Sequence, residues 1–209
     1  MLIRGTGLVA YPFLAASKFW GLMLSSKLFG RLVKAKPLTY LHEGLAVGAL
    51  LATGAHMFFL WTDDFIEFGP RQLFVPGAST WEPLAVAFGI MAFYATLIVS
   101  GSFYIKKWIG QAAWRALHFM AFGTFAAAAI HGVMAGTDTQ HVAVLSLYVA
   151  TVTIVVLLLV VRISQEMAAA TPGRSQGPTP EPVTTSKPPA DDRVDMNERL
   201  AALQARRTG

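Results

Sequence analysis

Cysteine is absent from the 209 residues of this chain. Disulfide bonds, thiolate-ligated haem and iron–sulfur clusters built from its own side chains are therefore excluded. Charged residues are also scarce, at 14% of the chain, whereas hydrophobic residues make up 54% and the mean hydropathy is +0.50. This balance is typical of a membrane protein.

The charge that is present is mostly basic, with 17 Lys and Arg against 12 Asp and Glu. A basic chain can bind nucleic acid, but here the basic residues lie mostly between apolar segments. Membrane topology explains that placement better than phosphate binding does. We therefore expect contact with membrane lipid and no binding of nucleic acid.

Five apolar segments approach the ~20 residues that a helix needs to cross a bilayer. They cover residues 5–28, 38–61, 83–105, 113–136 and 142–161. The predicted fold is an all-α membrane protein, a bundle of about five transmembrane helices in a domain at residues 1–164. Residues 165–209 are rich in Pro, Ser and Thr, which predicts a disordered cytoplasmic tail with a short terminal helix.

Charge alternates along the connections between these segments. The first and third connections carry Lys and Arg, whereas the second carries mostly Asp and Glu. The positive-inside rule then predicts a multi-pass protein of the cell membrane with its N-terminus outside and its C-terminus in the cytoplasm. We interpret Trp114 and three further tryptophans near helix ends as interfacial belts, and Lys18 as a side chain that reaches the nearer interface.

Four of the five histidines form two pairs inside apolar segments. His42 and His56 lie 14 residues apart in the second segment, and His118 and His131 lie 13 apart in the fourth. Each spacing corresponds to ~20 Å along a helix axis. Because both segments are expected to run in the same direction, His42 should lie level with His118, and His56 with His131. With a spacing of 13, His118 and His131 do not lie on the same face of a regular helix. Gly123, between them, could permit a distortion of the helix that brings them onto one face.

Two imidazoles at one level are the axial ligands of a low-spin b-type haem, which transfers electrons because neither axial position is left for a substrate. Zinc would need three or four ligands in one cluster, and non-haem iron would need carboxylates beside the histidines. The alternative is a purely structural role, in which the histidines only form hydrogen bonds between helices. The matched array favours two haem b groups, held by His42 with His118 and by His56 with His131.

Residues 4–162 resemble the ferric reductase-like transmembrane domain superfamily. That superfamily includes the membrane haem parts of NADPH oxidases and metalloreductases and the haem subunit of the bacterial methionine sulfoxide reductase. The resemblance is carried by the motifs GTGLVAY, LHEG…GAH, EPLAVAFGI and WRALH…IHGVMAGTDT. It implies that His42, His56, His118 and His131 are haem ligands. The family often has six helices with ligands on the third and fifth, whereas here they lie on the second and fourth.

No strand–Gly-rich loop–helix unit typical of a flavin or nicotinamide domain follows the fifth segment. The expected protein is therefore an oxidoreductase component that receives electrons from a separate flavin reductase or from quinol. It would pass them to an outer acceptor, which is ferric iron, oxygen or a partner reductase. The alternatives are a quinol-linked cytochrome b of another family and a haem-free membrane scaffold protein.

Three basic residues are expected at the cytoplasmic end of the inner haem. Arg115, Lys107 and Lys36 would pair with its propionates through charge-assisted hydrogen bonds. Marking the cytoplasmic side of the membrane is an equally good explanation of the same residues.

Overall fold

A computed structural model of the chain describes residues 2–26, 35–63, 68–170, 198–199 and 201–206. The chain divides into two compact units, at residues 1–170 and 171–209. In the second unit, residues 198–199 and 201–205 are helical and exposed. Residues 171–197, 200 and 207–209 of the predicted tail lie outside the described residues. All five histidines belong to the first unit.

All regular secondary structure described in the first unit is helix. Its helices are α1 (Leu2–Ser26), α2 (Ala35–Trp61), α3 (Pro70–Phe74), α4 (Pro83–Ala135) and α5 (Val142–Ala170). No strand occurs in the ranges that the structure describes. All but α3 are long and apolar enough to cross a membrane. The expected all-α membrane fold is confirmed.

The 53-residue helix α4 is two antiparallel helices joined at a sharp kink. A straight helix of that length would extend ~80 Å, far more than the ~30 Å thickness of a bilayer core. Gly110 breaks it with φ 80° and ψ 164°, a left-handed φ that glycine adopts without a steric penalty. His131 reaches back to Ala85, 46 residues earlier, with 2.8 Å between Nδ1 and the carbonyl oxygen. The segments 83–109 (α4a) and 111–135 (α4b) therefore bring the number of spans to five.

The centre of the bundle is an aromatic cluster between α1, α4b and α5. The rings of Tyr11 and Tyr148 lie 4.3 Å apart, and Phe125 stacks on Tyr11 at 5.8 Å. The Tyr11 hydroxyl and Thr151 Oγ1 are hydrogen-bonded at 2.7 Å. Since all three rings belong to the buried core, they fix the rotation of α1 against α4b and α5.

A second, smaller core lies at one end of the bundle under the α2–α4a connection. Phe68 and Leu73, from the segment around α3, are buried against Val86 and Ile90 of α4a. Met57, Leu60 and Trp81 pack against the same cluster. The short helix is thus held by apolar contacts over the end of α2 that carries His56.

Helix α5 continues to Ala170, six residues past the domain boundary expected at residue 164. Its last turns read ISQEMAAA, which is rich in good helix formers. An ion pair between Arg162 and Glu166, one turn apart, supports this extension.

Candidate functional site

The structure brings the four membrane histidines together in two pairs. The ring centres of His42 and His118 lie 6.0 Å apart, and those of His56 and His131 lie 6.4 Å apart. The ring planes are inclined at 70° and 74° respectively. These are the partners that the parallel-helix argument predicts. Helix α4b is regular at Gly123, so the pairs meet without the expected adjustment there.

The spacing between the paired rings matches that of two imidazoles sharing one metal ion. With metal–nitrogen distances of about 2.0 Å on either side of the ion, the two ring centres would lie about 6.3 Å apart. The observed separations of 6.0 and 6.4 Å bracket that value. Neither pair makes a direct ring-to-ring hydrogen bond within the described part of the chain.

Three of the four rings are tied to a neighbouring helix through Nδ1. The acceptor is the backbone carbonyl of Ser17 for His42 at 2.8 Å, of Ile3 for His56 at 2.9 Å and of Ala85 for His131 at 2.8 Å. A carbonyl can only accept, so Nδ1 carries the hydrogen in each ring. In the neutral imidazole, Nε2 then keeps its lone pair and is available as a metal ligand. Such outer hydrogen bonds orient histidine ligands in metal sites generally.

A glycine faces each of these three rings, four residues after the acceptor carbonyl. The pairs of carbonyl and glycine are Ile3 with Gly7, Ser17 with Gly21, and Ala85 with Gly89. A Cβ at these glycines would lie 3.2 Å from His56, 3.1 Å from His42 and 2.7 Å from His131. The missing side chain is what lets the imidazole reach a carbonyl inside an intact helix.

Sequence reasoning missed these glycines, although a signal was present. Gly7 and Gly21 are 14 residues apart, the same spacing as His42 and His56. In an antiparallel pair of helices, equal spacings allow both contacts at one register. The structure has that arrangement, since α1 makes its most extensive contacts with α2.

His118 is held differently from the other three histidines. It has no hydrogen bond to a described residue, and its ring instead stacks on Trp114 with 5.0 Å between centres and 24° between planes. Lys106 Nζ lies 4.0 Å above the other ring of that stack, Trp114. Trp114 was interpreted as part of an interfacial belt, an interpretation that suits the exposed Trp61 and Trp108 but not Trp114.

None of the four Nε2 atoms has a hydrogen-bond partner among the described residues, so each is available to a ligand. Within the described part of the chain, no group of three or more His, Cys, Asp or Glu side chains could hold a metal ion. The donor set is therefore two imidazoles at each level.

A cavity of about 550 Å³ adjoins the His56–His131 pair. Its volume lies within the ~300–1,000 Å³ typical of pockets for cofactors. Both histidines line it, together with Gly7, Gly89 and the aromatic ring of Tyr148. Arg4, whose guanidinium forms an ion pair with Asp138 at 3.2 Å, lies at its rim. The walls are apolar with a polar margin, as a flat, mainly apolar cofactor requires.

The remaining predicted residues lie apart from these contacts. Arg115, Lys107 and Lys36 are exposed. A cation near His118 is instead Lys106, which lies over the Trp114 ring that stacks on His118. The fifth histidine, His141, is exposed at the start of α5.

Comparisons of the chain with protein-family models, with curated proteins and with solved structures found no match.

Proposed function

We propose that this protein is a dihaem electron-transfer subunit of the membrane. His42 and His118 would hold one haem b, and His56 and His131 the other. A haem with two imidazole ligands exchanges single electrons without an open axial position for a substrate. The chain would be the membrane component of an oxidoreductase, similar to the ferric reductase-like transmembrane domains that its motifs resemble.

The observation that carries this proposal is the pairing of imidazoles at ring separations of 6.0 and 6.4 Å with their Nε2 atoms unpartnered. Two imidazoles at this separation suit a single bound ion. The haem-free scaffold alternative gives the four Nε2 atoms no partner among the described residues. A zinc site would need a further ligand at each level, and none lies there among the described residues.

The protein contributes orientation and a low-dielectric environment. The carbonyls of Ser17, Ile3 and Ala85 hold three rings in one tautomer, which keeps Nε2 free of a proton. The missing side chains of Gly7, Gly21 and Gly89 leave the room that these rings need against the neighbouring helix. Fixed ligands of this kind keep the geometry constant between oxidation states.

The two sites are separated along the bundle so that electrons could cross the bilayer between them. The 14 residues from His42 to His56 correspond to ~21 Å along α2, most of the ~30 Å apolar thickness of a bilayer. We propose the orientation that the charges of the connections favour, with the N-terminus outside. Electrons would then pass from a flavin reductase or quinol on the cytoplasmic side to an outer acceptor, such as ferric iron, oxygen or a partner reductase.

Replacement of the histidines one at a time tests both the ligands and their pairing. Each single His→Ala variant of the purified full-length protein should bind one haem where the unchanged protein binds two. The optical and EPR spectra of the His42→Ala and His118→Ala variants should be alike, and different from those of His56→Ala and His131→Ala. His141→Ala is the matched control and should retain both haems.

Two results would contradict the proposal. If no variant changed the haem content, the histidines would not be the ligands. If the spectra grouped His42 with His56 rather than with His118, two haems would be present but the pairing across helices would be wrong.

A further inference from the structure

One buried donor near the His42–His118 pair has no partner. Trp114 Nε1 is inaccessible to solvent and is the single side-chain atom of this kind in the described part of the chain. Its ring is fixed by the stack on His118, so the N–H cannot turn away to find water. Buried N–H groups are almost always hydrogen-bonded in native proteins. The geometry therefore calls for an acceptor next to the ring of His118.

Two lysines lie near the same histidine pair. Lys106 Nζ is 4.0 Å from the centre of the Trp114 ring, and Lys18 of α1 directly follows Ser17, whose carbonyl accepts the hydrogen bond from His42 Nδ1. Neither lysine forms an ion pair with a described carboxylate. Glu43, the acidic neighbour of His42 in the sequence, is exposed.

An acceptor that suits a tryptophan N–H beside lysine side chains is an anionic oxygen, because charge-assisted hydrogen bonds are the strong ones. No described carboxylate accepts from this N–H, and a carboxylate of a bound ligand would meet the need. The other site differs, since its rim cation Arg4 already pairs with Asp138.

We propose that Trp114 Nε1, Lys18 and Lys106 bind a carboxylate of the haem held by His42 and His118. This inference rests on the proposed function and deepens it. It replaces the exposed Arg115, Lys107 and Lys36 as the principal partners of that propionate. It also assigns a role to Lys18 within a membrane helix, which the ability of its long side chain to reach the interface does not do.

The test measures haem binding by the haem-free full-length chain in detergent, in a His131→Ala background that leaves one site. Haem b and its dimethyl ester, in which both propionates are uncharged, are titrated separately. Trp114→Phe and Lys18→Met should each weaken the binding of haem b about ten- to hundredfold, and should leave the binding of the ester unchanged. Lys18→Arg should bind haem b nearly as well as the parent protein does.

Trp108→Phe, a change at an exposed tryptophan of α4a, is the control and should alter neither affinity. Equal losses for haem b and its ester would overturn the proposal, because the residues would then act only on packing. It would also be overturned if Arg115→Gln discriminated between the two ligands and Lys18→Met did not. Failure of the proposed function would look different, since the parent protein would bind neither ligand.

Discussion

Gly89 provides the sharpest structural test, because its missing side chain leaves room for His131. A Cβ at position 89 would lie 2.7 Å from Nδ1, 2.8 Å from Cε1 and 2.9 Å from Cγ of His131. Non-bonded heavy atoms are most stable about 3.5 Å or more apart. The Gly89→Ala variant must therefore displace the imidazole by roughly 0.8 Å or bend α4a away from α4b.

The expected energetic effect follows from these contacts. Displacing the ring breaks the hydrogen bond from Nδ1 to the Ala85 carbonyl, which contributes about 0.5–1.5 kcal/mol. Overpacking adds about 1–3 kcal/mol. A total of about 1.5–4.5 kcal/mol corresponds to a roughly 10- to 2,000-fold weaker affinity for haem at the His56–His131 site. The His42–His118 site should keep its haem.

The assay is haem content and EPR of purified Gly89→Ala beside its matched control, Gly101→Ala. Gly101 lies on the same half-helix, and a Cβ there meets nothing within 4 Å. Alanine favours helix by up to about 1 kcal/mol relative to glycine, so a general propensity effect would act equally on both variants. If Gly89→Ala bound two haems with unchanged spectra, the close contact between α4a and His131 would not support the site.

Two further predictions concern the asymmetry of the sites and the turn in α4. The haem at His42–His118 should have the higher midpoint potential, by on the order of 50 mV. Nearby cations favour its reduced form, and His118 lacks the Nδ1 hydrogen bond that makes a histidine ligand more basic. Redox titration of His131→Ala and of His42→Ala, each with one haem, checks this, and the reverse order would contradict it. Gly110→Ala should lower stability by about 1–3 kcal/mol, since an alanine at φ 80° is strained, and thermal unfolding in detergent unchanged from the parent protein would contradict that.

The sequence predicts the number of spans and the level of each histidine because both depend on distance along a helix. Apolar length identifies the segments, and the spacings from His42 to His56 and from His118 to His131 set the two levels. The sequence also predicts the division of α4 into two spans, since the basic stretch around Lys106 separates two apolar segments. These quantities are local to one helix and need no knowledge of its neighbours.

What surrounds each histidine depends instead on the rotation and register of neighbouring helices. The contacts of Gly7 and Gly21 with the His42 and His56 rings require α1 and α2 to meet at one particular register. Trp114 looks like an interfacial residue from its position at a helix end, and only the turn at Gly110 places it under Lys106. The surroundings of Lys18 are equally hard to predict, because the length of an apolar segment does not reveal which face of the helix packs against its neighbours.

The central claim is that each histidine pair holds one haem b. The most direct test is the haem content of the purified full-length protein, measured with its reduced-minus-oxidised spectrum. The account predicts b-type bands, two haems per chain and low-spin signals of two imidazole-ligated centres. A protein that shows no b-type bands after expression with ample haem would contradict it.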